Sequence, residues 1–358
     1  MKLGRNAPCH CGSDLKYKKC CEENDKQATP SPARDTSGRL VGRELIETSW
    51  EAQKKVVRVV GDKIAISDPH TTRHEFFLDH LYRELGQGWW EAQQKLPETE
   101  RHPIGRWWNL MRELQAGKVK GFEVRQEGER LYTTALPGDA KALLCLAYDS
   151  YTLGDTLALP PALLARLRHK DQFQGARYET AVAAVFIRAG FQIEWITDTS
   201  RKLPEFIARR EKTEIAVEAK SRHRSGVLGR PGEPPDIGSL DIDVENLLAR
   251  ALEKETDGRP YVICLDLNLP IAETNSAEDW VSTLEEKVLK QYGQETTDER
   301  EPFSVVLFTN YSWHWQGQGP ASNPLQVAVR ANKAEVPIPL KELDPIAEAV
   351  FQYGDVPN

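Results

Sequence analysis

The apolar positions of this chain change period near residue 171. Before it, they recur at helical spacing. Phe76, Phe77, Leu81 and Leu85 predict a helix over residues 75–85, and a second helix is expected around Trp107-Trp108, running to Leu114. Residues 140–151 read as a buried helix, and Pro160-Pro161 opens a short one, since proline suits a first helical turn. A short strand pair is expected at residues 119–124 and 130–133. The segment 39–170 therefore reads as mainly helical. After it, helices alternate with strands. Residues 173–189 predict a helix closed by Gly190, a suitable C-cap. Strands are expected at 191–196, 203–208, 214–220, 261–269, 303–309 and 325–330, with helices at 244–254 and 277–292. This alternation predicts an α/β domain over residues 171–358.

Residues 22–38 have no hydrophobic period and contain two prolines, so they read as a flexible linker. Residues 1–21 form a separate cysteine-rich module. The expected organisation is multidomain: a small metal-binding module, a linker, a mainly α-helical middle domain and an α/β C-terminal domain with a central mixed sheet.

Composition narrows the function classes. The 358 residues are 40% hydrophobic and 28% charged, with a net charge of -7. A chain with that balance is not a polycation, so nucleic-acid binding would need a local basic surface. The start is polar and cysteine-rich, unlike a signal peptide. No apolar run approaches the roughly 20 residues that span a bilayer. The expected compartment is cytoplasmic, with no membrane partner.

The candidate chemistry lies in the strand Glu214-Ile215-Ala216-Val217-Glu218-Ala219-Lys220. Side chains alternate along a strand, so Glu218 and Lys220 share one face while Ile215, Val217 and Ala219 share the other. An acid in an apolar stretch needs a partner. Glu205, in Leu203-Pro204-Glu205, lies on the preceding strand across a tight turn, so the two strands are expected to pair. Glu179 shares a helical face with Val182, Ala183 and Phe186, and so should point inward toward a ligand or a buried partner. Carboxylates of this kind can hold a hard cation, which polarises a phosphodiester and activates water, while a lysine stabilises developing charge.

The order Glu179, Pro204-Glu205, Glu218-Ala219-Lys220 resembles the PD-(D/E)XK nuclease superfamily over roughly residues 171–310. The resemblance implies a restriction-endonuclease-like fold. It further implies Mg²⁺ or Mn²⁺ held by Glu205 and Glu218, Lys220 as catalytic lysine, Glu179 as supporting acid, and nucleic acid, DNA in particular, as partner. Glu205 departs from the aspartate usual after that proline; its longer side chain reaches a metal only if the backbone sits further back. A non-catalytic nucleic-acid- or protein-binding adaptor is the competing expectation. Arg222 and Arg224 are further candidates for phosphate contacts; His223, between them, is a poor general base.

Cys9, Cys11, Cys20 and Cys21 offer four thiolates, a complete tetrahedral set for structural zinc. A redox-sensitive thiol cluster is the other reading. The run from Gly4 to Cys21 resembles the SEC-C motif found in the SecA translocase and many bacterial proteins, which implies zinc and a nucleic-acid or acidic protein partner. Cys145 and Cys264 stand alone in apolar segments and are expected to pack as small hydrophobes. Trp89-Trp90 and Trp107-Trp108 are expected to place one indole of each pair in a helical core. Trp313-His314-Trp315 is a candidate exposed aromatic contact.

Overall fold

The structure is a computed structural model. It describes residues 46–50, 53–61, 63–67, 72–127, 130–133, 135–198, 200–236, 240, 242–270, 277–292, 300–331 and 333–357. The cysteine module at 1–21 and the linker at 22–38 lie outside the described residues. The account below concerns the compact unit Glu47–Asn358 and the strand that leads into it.

Strands β1 (Ile46–Trp50), β2 (Gln53–Val60) and β3 (Lys63–Ser67) form a small sheet in that order. The expectation of a mainly helical segment does not extend to these residues. Val56, Val57, Val59, Val60, Ile64 and Ile66 are β-branched, and β2 and β3 pair antiparallel around the turn at Gly61. Helices α1 (Arg73–Leu85), α2 (Gln87–Gln94) and α3 (Pro103–Gln115) follow. A capping box starts α1: Thr72 Oγ1 accepts from the Glu75 amide, and the Glu75 carboxylate accepts from the Thr72 amide. Pro103 occupies the first turn of α3. Trp90 and Trp107 are buried and Trp89 and Trp108 half-buried, one indole of each pair in the core as expected. The hairpin β4 (Val124–Glu127) and β5 (Arg130–Thr133) leads to α4 (Gly138–Asp155) and α5 (Pro161–Leu167).

Helix α6 (Lys170–Arg188) is buried on nearly every side. After it come β6 (Gln192–Trp195), β7 (Phe206–Arg210), β8 (Thr213–Ser221), α7 (Glu245–Leu252), β9 (Tyr261–Asp266), α8 (Ala277–Tyr292), β10 (Val305–Asn310), β11 (Leu325–Arg330) and α9 (Leu340–Phe351). Six strands form one sheet in the order β11-β10-β9-β8-β7-β6. Pairs β6–β7, β7–β8 and β10–β11 are antiparallel; β8–β9 and β9–β10 are parallel. Nine α-helices among the described residues and this mixed sheet make the protein α/β.

Helices cover both faces. Ala216, Ile263, Leu265, Val306 and Phe308 form a core with Leu248 of α7 and with Trp280, Leu284 and Val288 of α8. On the opposite face Phe206, paired with Val217, meets Phe186 of α6 with ring centroids 5.7 Å apart. A strand covered twice loses its polar side, which is why β9 and β10 are buried throughout. Cys145 and Cys264 are buried free thiols, as expected.

Candidate active site

The hairpin β7–β8 builds the site. Its turn is Glu211-Lys212, with Glu211 in the left-handed region at φ 52°. The register pairs Phe206 with Val217, and the Glu205 amide donates to the Val217 carbonyl at 3.0 Å. Glu205 immediately precedes β7, beyond the last pair of the ladder, while Glu218 shares one face of β8 with Ala216 and Lys220.

Lys220 joins the two acids. Its Nζ donates to Glu205 Oε1 at 3.1 Å and makes a closer ion pair with Glu218 Oε1. Glu218 is fully buried, whereas Lys220 and Glu205 are about one quarter exposed, with side-chain accessibilities of 27% and 25%. Lys254, just beyond α7, brings its Nζ to 3.5 Å from Glu218 Oε1 and donates to the Leu203 carbonyl at 2.9 Å. Despite these two ammonium groups, neither Glu218 oxygen has a well-aligned hydrogen-bond donor. Burial pushes the Glu218 carboxyl up to about 7; Lys220 and Lys254 oppose that shift and Glu205 adds to it. Burial works against the Lys220 charge too, but Glu218 and Glu205 outweigh it and hold the ammonium above its ordinary value.

Glu179 points inward, as its helical face predicts, and its partner is an arginine. Arg166 of α5 grips it with Nη1 on Oε2 and Nη2 on Oε1, both at 2.6 Å. Burial raises the Glu179 carboxyl above its usual range, the Arg166 hydrogen bonds oppose this, and the nearby Glu205 charge reinforces it. Glu179 thus reaches the cluster as a charge rather than by direct contact with Lys220. Among the described residues no group of three or more His, Cys, Asp or Glu is spaced to hold a metal ion. Two carboxylates, Glu205 and Glu218, converge on one ammonium. None of these residues lines the cavity of about 330 Å³ bounded by Trp107, Asp139, Val227 and Trp315.

Three residues of this neighbourhood escape sequence reasoning. Arg166 precedes Glu179 by thirteen positions and lies in another helix, so no spacing rule links them. Lys254 sits at the exposed-looking end of a predicted helix. Asp266, fully buried on β9, receives Arg177 Nη2 at 3.1 Å and Ser221 Oγ at 3.0 Å. The Arg222 guanidinium pairs with Asp243, and Arg224 donates to the carbonyls of Asn268 and Leu267, which occupies both arginines expected to face phosphate. Trp313 is not an exposed contact: it is 1% accessible and stacked in register with Tyr311 and Tyr353.

No helix among the described residues is long and apolar enough to cross a membrane. No solved structure matches the chain. Similarity to known proteins falls instead on the N-terminus. Over 27 residues, 8% of this chain and 3% of the other, it is 67% identical to the protein translocase subunit SecA of Desulforudis audaxviator (strain MP104C). Over 20 residues, 6% of this chain and 13% of the other, it is 85% identical to the UPF0225 protein SG1365 of Sodalis glossinidius (strain morsitans). The chain therefore spans only a small part of these relatives' length. The model of the SEC-C motif matches residues 5–23, and that motif is what this chain carries at its N-terminus.

Proposed function

We propose that the chain is a Mg²⁺- or Mn²⁺-dependent nuclease of the PD-(D/E)XK type, a DNA endonuclease, with the SEC-C motif serving target or partner binding. One observation carries the reading: Glu205, just before β7, and Glu218 of the paired strand β8 meet at the ammonium of Lys220. The run α6-β6-β7-β8-α7-β9, with an antiparallel triplet followed by a parallel strand, is the helix–strand context expected around that motif.

The donor set fits a hard cation. Glu218 presents two buried oxygens without aligned donors, and Glu205 a partly exposed carboxylate beside it. Such an ion retains several waters, so two protein carboxylates are an adequate anchor. When bound, it supplies a water of lowered pKa and an electrophile for the phosphate. The chain's own residues do the rest. Glu205 and Glu218 position the ion, Lys220 holds a proton and a positive charge where negative charge develops, and the Glu179–Arg166 pair fixes the charge balance behind them. Four thiolates of Cys9, Cys11, Cys20 and Cys21 would hold structural zinc in the motif.

The test is cleavage of plasmid, linear duplex, single-stranded DNA and RNA with Mg²⁺ or Mn²⁺. Lys220→Ala should lower the rate by about 100-fold or more, the usual loss when one charge-stabilising group is removed. Equal behaviour of wild type and variant on every substrate would sink the enzymatic claim. A second reading, a non-catalytic nucleic-acid- or protein-binding adaptor, draws on one observation: Lys220 and Lys254 together already compensate Glu218.

A further inference from the structure

The cavity of about 330 Å³ shares no lining residue with the Lys220 cluster. Helix α3 contributes Arg106, Leu110 and Glu113, spaced at i, i+4 and i+7 on one helical face. The start of α4 contributes Asp139, the loop after β8 contributes Val227 and Leu228, and the turn Trp313–Trp315 contributes Trp315.

Hydrogen bonds fix each of these walls. Gln174 of α6 holds the loop after β8, its Nε2 donating to the carbonyls of Arg224 and Val227 at 2.8 and 2.6 Å. Asn268 Oδ1 accepts from Trp315 Nε1 at 3.1 Å, and His314 Nε2 lies 2.8 Å from the same oxygen. The amides of Gly138 and Asp139 donate to the carbonyls of Gly319 and Gly317, both at 2.9 Å, so they are not free for an anion. A Cβ at Gly138 would stand 2.2 Å from the Trp313 carbonyl oxygen, so α4 can begin against this turn only with glycine there. Walls held in this way form the cavity before any ligand arrives.

The charge of the lining is one-sided. Three carboxylates, Glu98, Glu113 and Asp139, stand against one guanidinium, Arg106. Burial keeps the His314 ring neutral. Glu98 and Glu113 are exposed, whereas Asp139 is half-buried. Burial pushes the Asp139 carboxyl up to about 6, against the Arg106 charge and a hydrogen bond from the Trp107 indole. Among the described residues Asp139 has no salt-bridge partner.

We propose that this cavity binds a guanidinium or amidinium group, held by Asp139 beside the Trp315 indole. Such a group is a flat cation with donors only. A carboxylate takes it by paired hydrogen bonds, and an indole meets its face. Leu110, Val227 and Leu228 suit the carbon chain or ring that carries it. The group belongs either to a free small molecule or to an arginine of a protein segment, and the experiment separates the two. The proposal uses none of the residues of the nuclease reading and stands apart from it.

The test is titration calorimetry on the full chain without added metal, with benzamidine and with benzamide, its uncharged analogue of the same shape. Wild type should bind benzamidine about tenfold or more tightly than benzamide. Asp139→Asn should remove that preference. Glu113→Lys, at an exposed position of α3, should weaken benzamidine binding about threefold or more. Equal binding of the two compounds by wild type would overturn the proposal, as would an undiminished preference in Asp139→Asn. Melting temperatures show whether that variant folds. Should it unfold, Glu113→Lys decides alone, and wild-type affinity for benzamidine in that variant overturns the proposal. Agmatine bound and a blocked Gly-Arg-Gly peptide rejected would identify a free small molecule. The peptide bound at least as tightly would identify a protein segment, and wild type binding neither would overturn the proposal.

Discussion

Glu218 is the residue on which the site turns. Its carboxyl is wholly enclosed, and its pKa stands near 7 against an ordinary value of 4.5. Between those values the folded state keeps a proton that the unfolded chain has released. The folded state thus binds more protons there, and stability falls as pH rises from about 4.5 to 7. Glu218→Gln removes this slope and should leave the protein on the order of 1–3 kcal/mol more stable than wild type above pH 7. Thermal unfolding between pH 4 and 9 checks this; parallel curves for the two proteins would refute it. Binding of the proposed cation would have the opposite sense, because it needs the ionised carboxylate, so its affinity should rise through the same range. The strand alternation that placed Glu218 and Lys220 together was legible in the chain. That Lys254 would share Glu218 was not, because that contact is made only when α7 lies against the sheet.

At the scale of elements, the sheet and α6 depend on one another through buried charge. Arg177 of α6 donates to Asp266 of β9 and to the Tyr311 carbonyl beyond β10, tying three elements with one guanidinium. Asp266→Ala would leave Arg177 enclosed at 6% side-chain accessibility with no counter-charge. We expect a loss of about 3–5 kcal/mol, measured by denaturant unfolding. Asp266→Ala together with Arg177→Met should recover much of it. Periodicity found the helices and strands of residues 171–330 to within a few positions, with helix 277–292 and strand 325–330 reproduced without change, but it did not find α9. Those segments bury a face, and burial imposes the period. It also missed β1, β2 and β3; in β2 the valines fall in adjacent pairs and give no alternation.

At the scale of the whole molecule, an N-terminal motif with its own similarity to known proteins precedes a larger α/β unit. A module so short cannot enclose a hydrophobic core and is expected to fold around its ion. Purified protein should carry about one zinc per chain by elemental analysis, with Cys20→Ser and Cys21→Ser together removing it. Zinc retained by that double variant would show that other groups bind it.

The chain alone determined most elements of residues 171–330, the sharing of one strand face by Glu218 and Lys220, and the inward aim of Glu179. All three follow from local periodicity, which needs no knowledge of what packs where. Only the tertiary structure decided the partners. Arg166 on Glu179, Lys254 beside Glu218, Arg177 on Asp266 and Arg230 on His223 join residues from different elements or across a loop. Charges meet in this way because a covered sheet excludes water and leaves each buried ion to find its counterpart through the fold.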